Sequence, residues 1–558
     1  MSSGITEDIK VMEMKNKYSP DARKILHYLL SHPFDRVSLM THLPPQVKAT
    51  LQAMYSRNDM PMRDTLLKTI VMVDLGLKKN SDYDALSEQE KEKVYEKYAT
   101  SVPQEDPPLY RLLDQKAEGF LGEWVIKHGH KSIQEGAFIS YIAEGVSVIT
   151  AKALEDDPLF HGQELSTRYK SFEKKKVIIP ASLDFMRQEL EQYFSWSLEN
   201  YRYATKTLNE YQEKAFPKPE DISATGWKQV LAAETFDNAR YYLNAGITTS
   251  LGIVEDARTL ERKLRNMLVS PVLETRMIAE EIIEKAKYEL PTLIRHTEPN
   301  VYRKETEKVM SEELQKVMGG ITSDSAYSAL VKLIDCTQDL ENKIIAALLY
   351  GESHHRYGWQ DIYDRVKNLS SAEKKHVLEK VFLKLGKYDD PLRALRMGRL
   401  CFELYPDYGA WRDIQRHRRS NQTFPLPTCD YGYAIPRLID EAGLGDHYTK
   451  HQEKTKELFD RAREFSPEAI IIPTLGFRVK QLIDADIEEW VYIWRLRTTA
   501  YSHFSYGRLF LETFEQAKPM MPFLTEIIEQ HGLIDKKEYK HGRLVEERRH
   551  EEKQKTYV

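Results

Sequence analysis

Two stretches of sequence, one in each half of the chain, decide the fold. The first is HGHKSIQEGAFISYIAEGVSVITAKALEDDPLFHGQELSTRY at residues 128–169, and the second is RLCFELYPDYGAWRDIQRHRRSNQTF at residues 399–424. Each contains a segment in which apolar residues alternate with others, at 137–142 and at 399–405. Alternation of this kind predicts a strand with one buried face. We therefore expect a comparable strand in each half.

The two stretches also share their spacing. The interval from Tyr141 to Glu155 equals the interval from Phe402 to Arg416. It ends in an acidic cluster, 155–157, in the first half and in Arg416-His417-Arg418 in the second. Further along, residues 239–265 and 468–497 each predict a short segment, a turn and a long helix. Ordered matches at two places predict a duplicated domain.

Local signals divide the chain into five predicted segments. The pairs Ser87–Glu90 and Ser370–Glu373 are capping boxes that predict the starts of helices. The segments are a helical N-terminal extension at 1–105, two related domains at 106–298 and 341–530, a helical connector at 299–340 and a charged tail at 531–558. The mixed charges of the tail predict a solvated helix or a disordered segment.

Composition limits the function classes. The 81 Lys and Arg residues against 86 Asp and Glu residues, a net charge of -5, predict no general affinity for nucleic acid or for an anionic membrane. No apolar run approaches the roughly twenty residues of a membrane helix, and the opening residues do not resemble a signal peptide. The three cysteines are too few and too widely spaced for a disulfide framework. His354-His355 lacks a third ligand at useful spacing, so no metal site is expected. We expect a soluble, cytoplasmic protein.

Short motifs in both halves resemble the signature of one enzyme family. Gly129-His130-Lys131-Ser132-Ile133-Gln134-Glu135 and Glu164-Leu165-Ser166-Thr167-Arg168-Tyr169 resemble two elements of the flavin-dependent thymidylate synthases, in the family's order and near its spacing. Arg416-His417-Arg418 resembles the flavin-binding element of the same family, and residues 486–508 resemble its helix with a late Leu-Arg pair. The resemblance implies two diverged copies of one domain, fused in tandem.

Each half departs from the family pattern. In the first half the acidic residues 155–157 stand where the family has Arg-His-Arg, and three carboxylates would repel a pyrophosphate. In the second half Gly386-Lys387 lacks the histidine, and PTCDYGY at 427–433 replaces the Glu-x-Ser-x-Arg-Tyr element. A complete set of site residues therefore requires that the two halves face each other, or face those of a second chain.

The resemblance implies a role for each matching residue. The predicted catalytic residues are His130, Glu135 and Ser166. The predicted FAD ligands are Arg416, His417 and Arg418, whose guanidinium groups suit a pyrophosphate. The predicted ligands of a uridine nucleotide are Glu164, Ser166, Arg168 and Arg497. None of these roles needs one of the cysteines.

By the same resemblance, the fold is α+β, with helices packed on a mainly antiparallel sheet in each half. The implied reaction methylates a nucleotide of the dUMP type, with FAD as cofactor and with NADPH and methylenetetrahydrofolate as cosubstrates. Family members are tetramers whose sites combine several subunits, so a homodimer of this fused chain would mimic that assembly.

Other interpretations stay open at this point. The arginines of 412–419 are also typical of a solvated cationic face, and Glu164, Ser166 and Arg168 of an ordinary charged turn. A catalytically degenerate paralogue that binds a nucleotide or a partner would show the same losses in each half. An enzyme that keeps the flavin and uses another pyrimidine acceptor is the third alternative.

Overall fold

Residues 137–142 and 399–405, where apolar residues alternate with others, are extended in a computed structural model of the chain. The structure describes residues 15–34, 39–55, 60–102, 108–121, 131–319, 329–353, 356–386, 389–537, 539 and 541–557. The chain forms two compact units. Unit 1 comprises residues 1–142, 159–162 and 252–314, and unit 2 comprises residues 143–158, 163–251 and 315–558.

Helices outnumber strands in the described residues. In chain order the helices are α1 (Pro20–Leu29), α2 (Pro45–Tyr55), α3 (Met62–Asp74), α4 (Asn80–Asp84), α5 (Glu88–Ala99), α6 (Pro108–Leu121), α7 (Val148–Leu154), α8 (Arg187–Ala215), α9 (Ala224–Ala239), α10 (Ala257–Met267), α11 (Leu273–Glu289), α12 (Val301–Val317), α13 (Leu340–Tyr350), α14 (Trp359–Lys367), α15 (Ser371–Phe382), α16 (Tyr408–Ile414), α17 (Arg437–Glu441), α18 (Gly445–Arg463), α19 (Ile487–Arg497), α20 (Phe504–Ala517), α21 (Pro522–Gln530) and α22 (Gly542–Tyr557).

The strands form three small antiparallel sheets. In chain order they are β1 (Leu30–Ser31), β2 (Leu39–Met40), β3 (Phe138–Ser147), β4 (His161–Glu164), β5 (Thr248–Asp256), β6 (Val331–Cys336), β7 (Arg399–Leu404), β8 (Asn421–Gln422) and β9 (Gln481–Asp486). The sheets have the orders β1-β2, β3-β5-β4 and β6-β7-β9-β8. The predicted α+β class is confirmed.

The N-terminal helices of unit 1 form as the sequence predicts. In α1, Ala22, Ile25, Leu26 and Leu29 recur at helical spacing and are all buried. The predicted capping box at α5 is present, because Ser87 accepts from the amide of Glu90 while the Glu90 carboxylate accepts from the amide of Ser87. The predicted helical extension is therefore confirmed.

The sheet of the second half is built around β7. Leu400, Phe402 and Leu404 point into the core, and Phe402 lies opposite Leu333 on β6 and Ile483 on β9. The helix that follows β9, α19, packs on this sheet, where the indole Nε1 of Trp490 donates to the carbonyl of Leu400 at 3.0 Å. Among the described residues of the predicted helical connector, 301–317 form α12 and 331–336 form the edge strand β6.

The two halves repeat the same local design. Helices α7 and α16 each have seven residues and are capped by Ser147 and Asp407, whereas α10 and α19 each have eleven residues and are capped by Asp256 and Asp486. The strands β5 and β9 precede the longer helices, where the sequence predicted only a turn. When the two halves are aligned on the caps Ser147 and Asp407, the alignment differs by one residue from the one that pairs Tyr141 with Phe402. The repeated order supports the duplication, while the five-segment division stays a prediction.

The charged tail forms helix α22, which packs on α9. Leu544 lies in a small apolar cluster with Trp227 and Leu231 of α9. Outside this cluster, Arg548 pairs with Asp221 at 2.7 Å. The sequence predicted a solvated helix or a disordered segment here; the tail is helical, and the helix is anchored within unit 2. Across the described residues, no helix combines the length and the apolar character needed to cross a bilayer.

Two glycines mark a close crossing of the halves inside unit 2. The amide of Ala245 donates to the carbonyl of Pro473 at 2.8 Å, and the amide of Leu475 donates to the carbonyl of Leu243 at 2.8 Å. A Cβ at Gly246 would lie 2.8 Å from Cβ of Ile471, and a Cβ at Gly476 would lie 2.2 Å from the hydroxyl of Tyr448. Only a residue without a side chain fits at either position.

We predict that Gly246→Ala and Gly476→Ala each destabilise the protein by about 1 to 3 kcal/mol, because the added methyl group overpacks the crossing. Gly351→Ala is the control, since nothing lies within 4 Å of the methyl group it adds. The measurement is the midpoint of thermal unfolding. Equal midpoints for all three variants would contradict the close crossing.

Candidate active site

Both predicted polar motifs follow ordered elements in unit 2. Glu164 is the last residue of β4, and Ser166 and Arg168 lie in the turn after it. The motif 416–418 follows α16, which Asp407 starts by accepting from the amide of Ala410 at 2.7 Å. This cap fixes where the helix begins and so helps to position the basic motif that follows it.

Glu164 is buried and lies between cations from both halves. Lys152 on α7 places Nζ 2.9 Å from one carboxylate oxygen, and Arg412 on α16 donates to the other. Burial alone would raise the pKa of Glu164, but Arg412 and Lys152 outweigh it and lower the pKa to about 2. Arg416 Nη2 lies 4.0 Å from the same carboxylate. The first half's acid is therefore ionised and faces the second half's basic motif.

A second buried carboxylate, Asp413, lies among arginines. Nη1 of Arg240 lies 3.9 Å from it and Nη1 of Arg416 lies 4.0 Å from it. Burial would raise the pKa of Asp413, yet Arg168 and Arg497 together with these neighbours hold the pKa well below its usual range. Asp413 thus neutralises part of a dense cationic cluster drawn from both halves.

Arg168 is already satisfied by internal partners. Its Nε donates to Asp237 at 2.8 Å and its Nη1 donates to the hydroxyl of Tyr506 at 2.8 Å. Asp237 is held in turn by Nε of Arg543, at 2.9 Å, from the start of α22. The predicted nucleotide ligand is therefore a partly buried guanidinium that is already hydrogen-bonded.

His417 is buried and neutral. Burial lowers its pKa well below 6.5, and the charge of Arg497 adds to this effect. Arg497 donates from Nε to His417 Nε2 at 2.7 Å, so the proton of the imidazole is on Nδ1. That Nδ1 lies 3.5 Å from Glu489 on α19. Arg497, which is predicted to bind phosphate, thus also orients the histidine of the basic motif.

Several guanidinium hydrogens of the cluster lack acceptors. Arg418 Nη1, Arg412 Nε, and both Nε and Nη2 of Arg240 are buried without a hydrogen-bond partner in the described residues. The side chain of Arg416 is 46% exposed, and its acidic neighbours Glu164 and Asp413 each lie 4.0 Å away. Buried donors of this kind are costly unless an acceptor reaches them. The residues present fit an anionic group such as a pyrophosphate.

The first half has no comparable cationic motif. Lys152 follows the Ser147 cap by the same interval as Arg412 follows the Asp407 cap, and on this alignment Asp156 stands in place of Arg416. Glu155 is buried and pairs with Lys152. The acidic residues thus leave one basic motif for each chain.

The structure brings most predicted residues together. Seven of them share unit 2: Glu164, Ser166, Arg168, Arg416, His417, Arg418 and Arg497. The Ser166 hydroxyl accepts from the amide of Arg168 at 3.2 Å and stabilises the turn. Glu135 lies in unit 1, where it is exposed and pairs with Arg258. His130, Lys387 and the pair His354-His355 lie outside the described residues.

Sequence reasoning missed the residues that hold the cluster together. They are Lys152, Asp237, Arg240, Arg412, Asp413 and Arg543. Arg412 carried a usable signal, because it precedes the basic motif by one helical turn and therefore lies on the same side of the chain. Asp237 and Arg240 carried none, because each contacts residues far away in sequence.

The carboxyl of Glu489 should make the stability of the protein depend on pH. Burial, opposed by Arg419, raises its pKa to about 7 from 4.5. A raised carboxyl pKa contributes stability that is complete below pH 4.5 and is lost as pH rises through 7. We predict that the free energy of unfolding of Glu489→Gln rises relative to that of the wild type by up to about 3 kcal/mol between pH 5 and pH 8.

The measurement is the unfolding free energy of both proteins across this pH range. Glu488→Gln is the matched control: Arg396 lowers the pKa of Glu488, so the contribution of this carboxyl is already complete at pH 5 and stays constant up to pH 8. A Glu489→Gln difference that does not change with pH would show that this carboxyl is ionised throughout.

Comparison with known proteins finds one matching family model and several relatives of similar length. Residues 79–292 match the model of a family described as thymidylate synthase complementing protein. A UPF0159 protein of Chlamydia muridarum is 23% identical over 97% of this chain and 99% of its own length. UPF0159 proteins of Chlamydia pneumoniae and Thermoplasma acidophilum are 22% and 21% identical, over 88% and 78% of this chain and 91% and 92% of their own. The family predicted from the sequence motifs is thus confirmed over residues 79–292, which match the model of the thymidylate synthase complementing proteins.

Proposed function

We propose that the protein is a flavin-dependent enzyme that methylates a uridine nucleotide at one composite site, built from both halves of a single chain. One observation carries the proposal. The Glu-x-Ser-x-Arg turn of the first half and the Arg-His-Arg motif of the second lie against each other, with Arg416 4.0 Å from Glu164 and Arg412 3.3 Å from the hydroxyl of Thr167. Neither half has both motifs in its own sequence.

The basic motif is the proposed FAD site. Arg416 is half exposed, and Nη1 of Arg418 and Nε of Arg412 lack acceptors in the described residues. A guanidinium donates two parallel hydrogen bonds to phosphate oxygens, so these groups suit the pyrophosphate of FAD. FAD supplies the two-electron chemistry when bound, and the protein supplies its position and the surrounding charge.

The proposed nucleotide site is the turn at 164–168. A nucleotide phosphate that approaches Arg168 would compete with Asp237. Asp237 can release Arg168 without becoming an unpaired buried charge, because Arg543 still binds it. Through this exchange Arg168 can act as the sequence predicts, and Ser166 offers a hydroxyl beside it.

The proposed cosubstrates follow from the chemistry of methylation. Methylenetetrahydrofolate carries its one-carbon unit at the methylene level, so transfer as a methyl group requires two further electrons, which reduced FAD provides. NADPH is the proposed source of those electrons. We place the activity in the cytoplasm and in a homodimer, and light scattering tests the dimer.

A second candidate function is nucleotide or partner binding without catalysis. The specific observation that favours it is that Glu164 and Arg168, both predicted to bind the nucleotide, already have buried internal partners. Formation of dTMP from dUMP in the presence of FAD, NADPH and methylenetetrahydrofolate separates the two functions. Product supports the enzyme, whereas dUMP binding without product supports the second candidate.

We predict that the purified protein binds FAD and that the double variant Arg416→Glu, Arg418→Glu does not. The substitutions place carboxylates beside Glu164 and Asp413, so a pyrophosphate would be repelled. Visible absorbance after incubation with FAD and gel filtration measures bound flavin. Arg393→Glu reverses one charge in the same way at an exposed residue and should keep the flavin. Equal flavin in wild type and double variant would contradict this site, and no flavin in any of them would contradict the enzyme.

A further inference from the structure

A cavity of about 560 Å³ lies in unit 2, and none of the residues predicted to bind FAD or nucleotide lines it. It is lined by the C-terminal part of α9, by α17, by the first turns of α20 and by the start of α22. Its volume falls within the roughly 300 to 1,000 Å³ typical of small-molecule sites. The cavity is therefore large enough for a ligand of its own.

Each acidic side chain of the cavity wall already has an internal partner, and for Asp535 this is the hydroxyl of Tyr539, which donates to it at 2.8 Å. Glu234 accepts from Nδ1 of His541 at 2.8 Å, and Glu441 pairs with Arg437 at 3.1 Å. Asp237 is shared by Arg168 and Arg543. A cationic ligand would have to displace an internal partner from each of these acids. The carboxylates of the wall therefore do not favour such a ligand.

One cation of the wall has a free guanidinium. Arg508 on α20 is exposed and makes no hydrogen bond or ion pair within the described part of the chain. Exposed apolar side chains also line the cavity: Phe504, one helical turn before Arg508 on α20, is 44% exposed, and Ile435 is 49% exposed. A free guanidinium next to an exposed aromatic ring can bind an anionic group and stack a planar ring in one ligand.

We propose that this cavity binds a small molecule in which a planar aromatic ring carries an anionic group, with Arg508 binding the anion and Phe504 contacting the ring. A phosphate or a carboxylate would satisfy Arg508 equally well. The wall also includes Asp237, the partner of Arg168, so the ligand would lie next to the residue that restrains the turn at 164–168.

The test is isothermal titration calorimetry of the full chain with two probes, adenosine 5′-monophosphate and 1-naphthoate. We expect at least one probe to bind at one molecule per chain, and Arg508→Glu to weaken it at least tenfold. Arg393→Glu should bind like the wild type. Binding of the nucleotide alone identifies a phosphate ligand, and binding of naphthoate alone identifies a carboxylate ligand. Failure of both probes to bind would overturn the proposal.

A further arm separates this cavity from the proposed FAD site. The double variant Arg416→Glu, Arg418→Glu should bind the probe like the wild type, because neither residue lines the cavity. If the double variant abolishes binding while Arg508→Glu preserves it, the probe occupies the FAD site and the proposal for the cavity is wrong. Arg508 is exposed, so its substitution should leave the thermal midpoint unchanged, which excludes unfolding as the cause of lost binding.

Discussion

Two buried carboxylates, Glu164 and Asp413, are the constraint on which unit 2 depends. Each is removed from water and each is surrounded by cations from both halves of the chain. A buried ion pair adds little net stability, but loss of one partner leaves an uncompensated charge that costs about 3 to 5 kcal/mol. The ion pairs therefore act mainly by favouring one arrangement of the two halves over others. They require Lys152, Arg240 and Arg412 to stay together, and they bring the turn at 164–168 and the motif at 416–418 to the same place.

The duplication explains how one chain supplies both parts of a site. The two halves keep the same capped helices, as the equal lengths of α7 and α16 and of α10 and α19 show. Their side chains have diverged within that common framework. Asp156 stands where the second half has Arg416, and residues 427–433 lack the glutamate, serine and arginine of the first half's turn. Because the motifs are divided between the halves, each chain has one cationic motif, at 416–418, and one Glu-x-Ser-x-Arg turn, at 164–168.

Much of this could be predicted from the sequence, because the signals were local. Alternation located β3 and β7, and capping boxes located the starts of α5 and α15. Grouping of 164–168 with 416–418 came from the family resemblance and the departures of each half from it. What could not be predicted depends on contacts between residues distant in sequence. Asp237 shows this most clearly, since it binds Arg168 and Arg543, which lie far from it in sequence, one before it and one after it. The strand β6 and the packing of helix α22 on α9 were missed for the same reason, because each is stabilised by a partner that its own sequence does not reveal.

The central claim is that one chain forms one composite flavin site, and the stoichiometry of flavin binding tests it most directly. Titration of flavin-free protein with FAD, followed by the quenching of flavin fluorescence, gives the number of sites for each chain. One FAD for each chain is the predicted result, because only the second half has a cationic motif and only the first half has the facing turn. Saturation at two FAD molecules for each chain would mean that each half forms its own site, and the composite site would then be wrong.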